Sequence, residues 1–282
     1  MIKKVAAIND LSGIGKCSLT VALPILSALK VQCCPLPTAI LSSQTGFSEY
    51  TFLDLTNEME NYYNTWKKLN LNIDTICSGF LGSIHQIDIV INFIKENKDA
   101  LVIVDPVLGD GGILYPIFNE ETCSKMKDLV KYSDLITPNL TEACLLTNKD
   151  YHEDYSEDEL INIAKSLCEL GPNKVIITGI IKNDMIYNLS YDSIKDKSLL
   201  YGLKYNNRSY SGTGDIFVSI ISALVTNGFD LDFAVKTASD FIYRCISYTS
   251  TYETDRNHGV MFEMFLNDLT SINKWTCTYM IL

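Results

Sequence analysis

Apolar and polar positions along the chain fall into two alternating rhythms. Short β-branched runs at residues 5–8, 32–34 with 39–41, 75–78, 101–104, 135–136 and 175–178 predict strands. Between them, stretches at 19–29, 55–69, 85–95, 120–130 and 157–170 repeat their apolar residues at helical spacing. Ser156-Glu157-Asp158-Glu159 adds a capping box to the last of these, and Gly171-Pro172 a stop. Leu101-Val102-Ile103-Val104 is apolar at every position, which suits a sheet covered on both faces. The alternation predicts an α/β fold with a doubly wound, mostly parallel central sheet flanked by helices. Between Met185 and Tyr205 the rhythm loosens into two or three weaker strands, and two strong helices follow at 215–226 and 231–249. No repeat, low-complexity tract or Pro/Gly/Ser linker divides residues 1–282, so one domain is expected.

In such sheets ligands bind beyond the carboxyl ends of the strands. Five of these ends are polar or glycine-rich: 9–16 (NDLSGIGK), 42–46 (SSQTG), 105–112 (DPVLGDGG), 137–142 (TPNLTE) and 211–215 (SGTGD). One such end is ordinary loop composition, but five in register with the strands point to a ligand cleft. The stretch from Gly13 to Ser18 has the look of a phosphate loop. That pattern, however, requires glycine where Asp10 stands and Ser or Thr where Cys17 stands. Lys16 is therefore read as a helix-start lysine.

Gly212-Thr213-Gly214-Asp215 is the sharpest signal. Its glycines let successive backbone N–H groups converge at a helix N-terminus, an anion hole assisted by the helix dipole. From the motif alone Asp215 is open to two readings, a helix-start carboxylate or a base that takes a hydroxyl proton. Asp105, Asp110 and Glu142 supply hard oxygen donors suited to Mg²⁺ held largely through water and phosphates. Gly109, Gly111 and Gly112 leave room for a phosphate chain. Asp-Pro, Gly-Asp-Gly-Gly and Thr-Pro-Asn are also ordinary turn sequences.

Charge narrows the partners. With 23 basic against 34 acidic residues the net charge is −11, and no Lys/Arg run exists to replace the counterions of a polyanion. Nucleic acid and anionic membrane surfaces are therefore disfavoured as partners. No apolar run reaches 18 residues, so no transmembrane helix is expected. Nine scattered cysteines without a C-x-x-C pair read as free thiols in a reducing cytoplasm. His85, His152 and His258 lie outside the strand-end motifs and read as surface residues.

Taken together, the strand-end motifs resemble those of the ribokinase-like superfamily, and within it the pyridoxal (vitamin B6) kinases. The resemblance spans nearly the whole chain, through Asn9-Asp10-Leu11-Ser12-Gly13, Gln44-Thr45-Gly46, Ser78-Gly79-Phe80-Leu81-Gly82, D-P-V-L-G-D-G-G from Asp105, T-P-N-L-T-E-A from Thr137 and Gly212-Thr213-Gly214-Asp215. It implies ATP-dependent phosphorylation of the 5′-hydroxymethyl group of a B6 vitamer. Asp215 is then the catalytic base, with Gly212, Thr213 and Gly214 as the anion hole. Asp105, Asp110, Tyr115, Thr137, Asn139 and Thr178 take the ATP side, with Asp110 and Glu142 on Mg²⁺. Asp10, Ser12, Gln44, Thr45 and Phe80 take the vitamer side. A monovalent cation and a cytoplasmic homodimer belong to the same expectation.

Two positions depart from the resemblance. Gln44 stands where some relatives carry histidine, and Phe80 where some carry tyrosine. Gln44 retains hydrogen-bonding capacity, whereas Phe80 can only stack or fill space. The alternatives are a hydroxymethylpyrimidine kinase and, more distantly, a non-catalytic vitamin-binding regulator.

Overall fold

The computed structural model describes residues 2–272. In chain order the elements are β1 (Lys4–Ser12), α1 (Ser18–Ala28), β2 (Gln32–Leu41), β3 (Phe52–Asp54), α2 (Thr56–Lys68), β4 (Thr75–Ser78), α3 (Ile84–Glu96), β5 (Leu101–Val104) and the small hairpin β6 (Gly109–Asp110) and β7 (Ile113–Leu114). Then come α4 (Glu120–Val130), β8 (Leu135–Ile136), α5 (Leu140–Thr147), α6 (Glu157–Cys168), β9 (Lys174–Lys182), β10 (Met185–Asp192), β11 (Lys197–Lys204), α7 (Thr213–Thr226), α8 (Leu231–Thr249) and α9 (Leu266–Thr270). One sheet runs in the order β11-β10-β9-β8-β5-β4-β1-β2-β3. Its middle, from β2 to β9, is parallel, and antiparallel strands close both ends. This is the mostly parallel, helix-flanked sheet that the sequence pattern predicts.

Alternation along the strands builds two cores. On β1, Ala6 and Ile8 face the layer of α2–α6, while Val5 and Ala7 face α1, α7, α8 and α9. On β5, Val102 and Val104 take the first side and Ile103 the second. Strands buried on both faces need apolar residues at every position, which is why β5 shows no alternation in its sequence.

β3, β6, β7 and α9 are not expected from the sequence pattern, and β2 and α5 differ from the expectation for a plain physical reason. β2 runs unbroken through Pro35 and Pro37, because β3 pairs only with Ala39–Leu41 and leaves the proline stretch with an open edge that needs no donor. At residues 139–147 the polar T-P-N-L-T-E opens an eight-residue helix, α5, too short for periodicity to reveal. Among the described residues no helix is long and apolar enough to cross a membrane, and the eight described cysteines are free. Cys277 lies outside the described residues.

Candidate active site

The parallel register sets the site. Ile8, Ser78, Val104 and Ile136 pair across β1, β4, β5 and β8, so the next residues, Asn9, Gly79, Asp105 and Thr137, form a row at the carboxyl edge. Thr137 donates its hydroxyl to Asp105 Oδ1 at 3.0 Å. Asn9 Nδ2 donates to Asp215 Oδ1 at 3.1 Å, bringing the start of α7 over the end of β1. A register shift between Asn9 and Leu11 interrupts the strand, and Asp10 turns to α1, where Ser18 Oγ donates to its Oδ1. Ser12 Oγ donates to the other oxygen of Asp10 at 2.7 Å.

Gly212 precedes α7 with φ +79°, and its backbone passes directly over Lys16. The first helical turn beyond it, Thr213 to Asp215, presents N–H groups that an α-helix leaves without intrahelical acceptors. Lys16 itself turns away, donating to Glu263 and to the Val260 carbonyl.

The D-P-V-L-G-D-G-G and T-P-N-L-T-E motifs form one structural device. Glu142 is 4% exposed; its Oε1 accepts from Leu108 N and its Oε2 from Asn139 N, closing the capping box of α5. Asn139 Nδ2 donates to the Gly109 carbonyl at 2.8 Å, and Thr141 Oγ1 accepts from Gly112 N. Thr178 N donates to the Pro138 carbonyl, tying β9 to the same corner. Each oxygen of Glu142 accepts one of these bonds and keeps a second lone pair facing the same corner. Both its oxygens hold the loop, while exposed Asp110 uses one oxygen on Gly111 N and keeps the other free. Asn139 caps α5 with its Oδ1 and anchors the loop with its Nδ2.

Burial and mutual repulsion dominate the electrostatics. Asp215 is pushed up to about 6 by burial, with the charge of Asp10 adding and hydrogen bonds from Ser18 N and Asn9 opposing. Asp105 is pushed up to about 7 by burial and then by Asp215. Glu142 is raised by burial and by Asp105. Tyr115, 40% exposed, follows β7 and is pushed up to about 12, first by desolvation and then by Glu142, Asp110, Asp105 and Asp215. This crowd of carboxylate oxygen is chemistry that a hard divalent cation matches. Among the described residues, no three acidic, His or Cys side chains close into a metal cage. An ion entering with phosphates and water fits that donor set.

A stability prediction follows. Asp105 and Asp215 titrate higher in the folded chain than in the unfolded one, so between about pH 4 and 7 the native state binds more protons. Stability from this pair is therefore present at about pH 4 and lost as pH rises through the folded values. The melting temperature of the ligand-free protein is expected to fall over that range relative to an Asp105→Asn variant. Parallel melting curves for the two proteins would contradict it.

On the vitamer side, the Gln44 amide is engaged within the chain. Its Nε2 donates to Asn257 Oδ1 at 3.1 Å, the Asn257 carbonyl and Ser211 Oγ, and its Oε1 accepts from Gly46 N. It clasps the 42–46 loop to Asn257, beyond α8, and to Ser211 before α7. Thr45 is exposed beside it. Phe80 fills space, packing 6.2 Å from Phe118 on the α2–α6 core, while its N–H donates to Asn9 Oδ1. The three histidines are exposed, but His258 packs edge-on against Phe47 and lines a groove of about 440 Å³ with Gly13, Ile14 and Glu263. That groove lies behind the Gly13–Lys16 loop and contains none of the crowded carboxylates. Sequence reasoning placed Asn9 at a strand end without a role and missed Ser18 and Asn257; their amides and hydroxyl join segments up to 213 residues apart. No local pattern marks such contacts.

With this geometry in place, comparison with known proteins assigns the family. Residues 23–261 match the phosphomethylpyrimidine kinase family. The chain belongs to it. Within this family of ribokinase-like kinases the relatives divide between two substrates. Pyridoxine kinase of Bacillus subtilis is 28% identical over 62% of this chain. Hydroxymethylpyrimidine/phosphomethylpyrimidine kinase of Haemophilus influenzae is 31% identical over 60% of it. The chain spans only 65% and 64% of those two proteins' lengths. A Bacteroides thetaiotaomicron protein assigned to the phosphomethylpyrimidine kinases, crystallised with pyridoxal, is 40% identical over 97% of this chain and 98% of its own, with a TM-score of 0.93.

Proposed function

We propose that the protein is a single-domain, ATP-dependent kinase that phosphorylates the 5′-hydroxymethyl group of a B6 vitamer. The observation that carries this reading is Asp215, a partly buried carboxylate raised to about 6, at the helix start that follows Gly212. A base of that strength is ionised at neutral pH yet accepts a proton readily, which is the poise a hydroxyl acceptor requires. The Bacteroides relative crystallised with pyridoxal favours the vitamer over the pyrimidine.

In the mechanism, Asp215 removes the proton of the hydroxymethyl group as its oxygen attacks the γ-phosphorus of ATP, the bond to the β,γ-bridging oxygen breaks and ADP leaves. The N–H groups of Gly212, Thr213 and Gly214 stabilise the charge on the transferred phosphoryl. Asp110 would hold Mg²⁺ through its free oxygen, with Glu142 adding charge from behind the loop it anchors. Bound Mg²⁺ neutralises the triphosphate and aligns its terminal group. Asp105 and Thr137 stand at the strand edge facing that charge, and Asn139, Thr178 and Tyr115 border the nucleotide side. Asp10 and Ser12 reach the ring side already paired with one another, and Gln44 shapes that side through the clasped loop rather than by free hydrogen bonds. Thr45 and Phe80 complete its wall. A monovalent cation and a cytoplasmic location come with the family resemblance. So does a homodimer, for which exposed Ile40, Tyr50, Phe52 and Leu53 around the β3 edge offer an apolar surface.

An ATP-consumption panel with pyridoxal, pyridoxine, pyridoxamine and hydroxymethylpyrimidine, run with and without Mg²⁺, tests this reading. Mg²⁺-dependent turnover of at least one B6 vitamer is expected. Turnover with hydroxymethylpyrimidine alone supports the thiamin-precursor kinase instead, and turnover with none sinks both.

A further inference from the structure

We propose that Asn9 is the positioning residue for the base, holding the Asp215 carboxylate at the site through its side-chain amide. This rests on the proposed reading of Asp215 as the base. Asn9 follows Val5 and Ala7 on the β1 face turned toward α1 and α7, where α7 begins.

Its amide cannot be turned round without loss. Asn9 Oδ1 accepts from Asp10 N at 3.0 Å and from Phe80 N at 2.9 Å, so Nδ2 is left to donate to Asp215 at 3.1 Å. Two backbone donors from different strand ends thereby fix the direction of the amide, which settles an assignment that is otherwise open for asparagine. Gly79 closes the arrangement, since a Cβ there would stand 2.4 Å from Asn9 Nδ2. The second donor to Asp215 is the N–H of Ser18, whose φ of +52° aims it at the carboxylate. A non-glycine residue in that conformation is uncommon and marks a constrained site. The carboxylate is thus held from β1 and from the start of α1.

The groups facing Asp215 are Asp10 on β1, Asp105 after β5, Cys17 before α1, Cys77 on β4 and Tyr115 after β7. The charged ones among them are acidic and favour protonation of Asp215. The amides of Asn9 and Ser18 oppose them by stabilising the ionised base.

The test compares Asn9→Asp, which preserves shape and the oxygen that accepts from both backbone N–H donors, with Asn9→Ala. Asp215→Asn is assayed alongside under the same conditions. Both Asn9 variants are expected to lose roughly 10- to 100-fold in kcat, with KM for ATP within about threefold. The acid limb of the kcat/KM profile should also move up by about one pH unit. Carboxyl ¹³C titration of Asp215 in Asn9→Ala should move the same way, independently of turnover. An unmoved acid limb in both variants overturns the assignment of Asn9 while leaving Asp215 as the base. Wild-type activity in Asp215→Asn overturns both together.

Discussion

Replacing Asp215 with asparagine is expected to lower kcat by roughly 10²- to 10⁴-fold without lowering the melting temperature. The side chain is isosteric, and its carbonyl oxygen can still accept from Asn9 Nδ2, so the start of α7 keeps its link to β1. What disappears is the proton acceptor. The substitution also removes a partly buried negative charge that burial and Asp10 both oppose, so stability near pH 7 should hold or rise. A residue serving only as a helix start would behave differently, because trading its charge for an amide would leave turnover nearly intact. A kcat within about threefold of wild type would return Asp215 to that lesser role.

The second large effect is expected at Gly212. Its φ of +79° is a conformation that L-residues adopt at a cost of roughly 1–2 kcal/mol, and a Cβ there would lie 2.0 Å from the Lys16 carbonyl oxygen. Gly212→Ala must push the start of α7 away from the Gly13–Lys16 loop, moving the amides that face the phosphoryl group. A loss of roughly 10²- to 10³-fold in kcat is expected, the scale of losing an oxyanion donor, together with a melting temperature lower by several degrees. Gly214 provides the contrast, since a Cβ there meets nothing within 4 Å and its φ is ordinary. Gly214→Ala should leave the melting temperature in place. Equal thermal behaviour of the two variants would refute the packing argument for Gly212.

Much of this architecture was legible because burial on both faces leaves a strong imprint. The apolar run at 101–104 became β5 with its bounds unchanged, and 120–130 and 231–249 became α4 and α8. The positions of the candidate site were legible for a related reason, since parallel strands deliver their polar ends to one edge, where Asn9, Asp105 and Thr137 now stand in a row. The direction in which each side chain points was not legible. Glu142 and Asn139 carry the residue types of metal and nucleotide contacts, and a capping box and a loop also engage their polar atoms. Gln44 has the chemistry of a ring contact, yet Asn257, 213 residues away, takes its amide. Such partners are fixed by tertiary packing, and spacing along the chain carries no trace of them. Net charge was equally silent about the cleft, where phosphate attraction would come from uncounted backbone amides beside crowded carboxylates.

The most direct measurement is kcat/KM for pyridoxal and for hydroxymethylpyrimidine on one preparation with Mg²⁺ and ATP, repeated with Asp215→Asn. The predicted result is a higher value for pyridoxal, with phosphate appearing on the 5′-hydroxymethyl oxygen, and loss of turnover in the variant. Turnover confined to the pyrimidine, or pyridoxal turnover undiminished in Asp215→Asn, would contradict it.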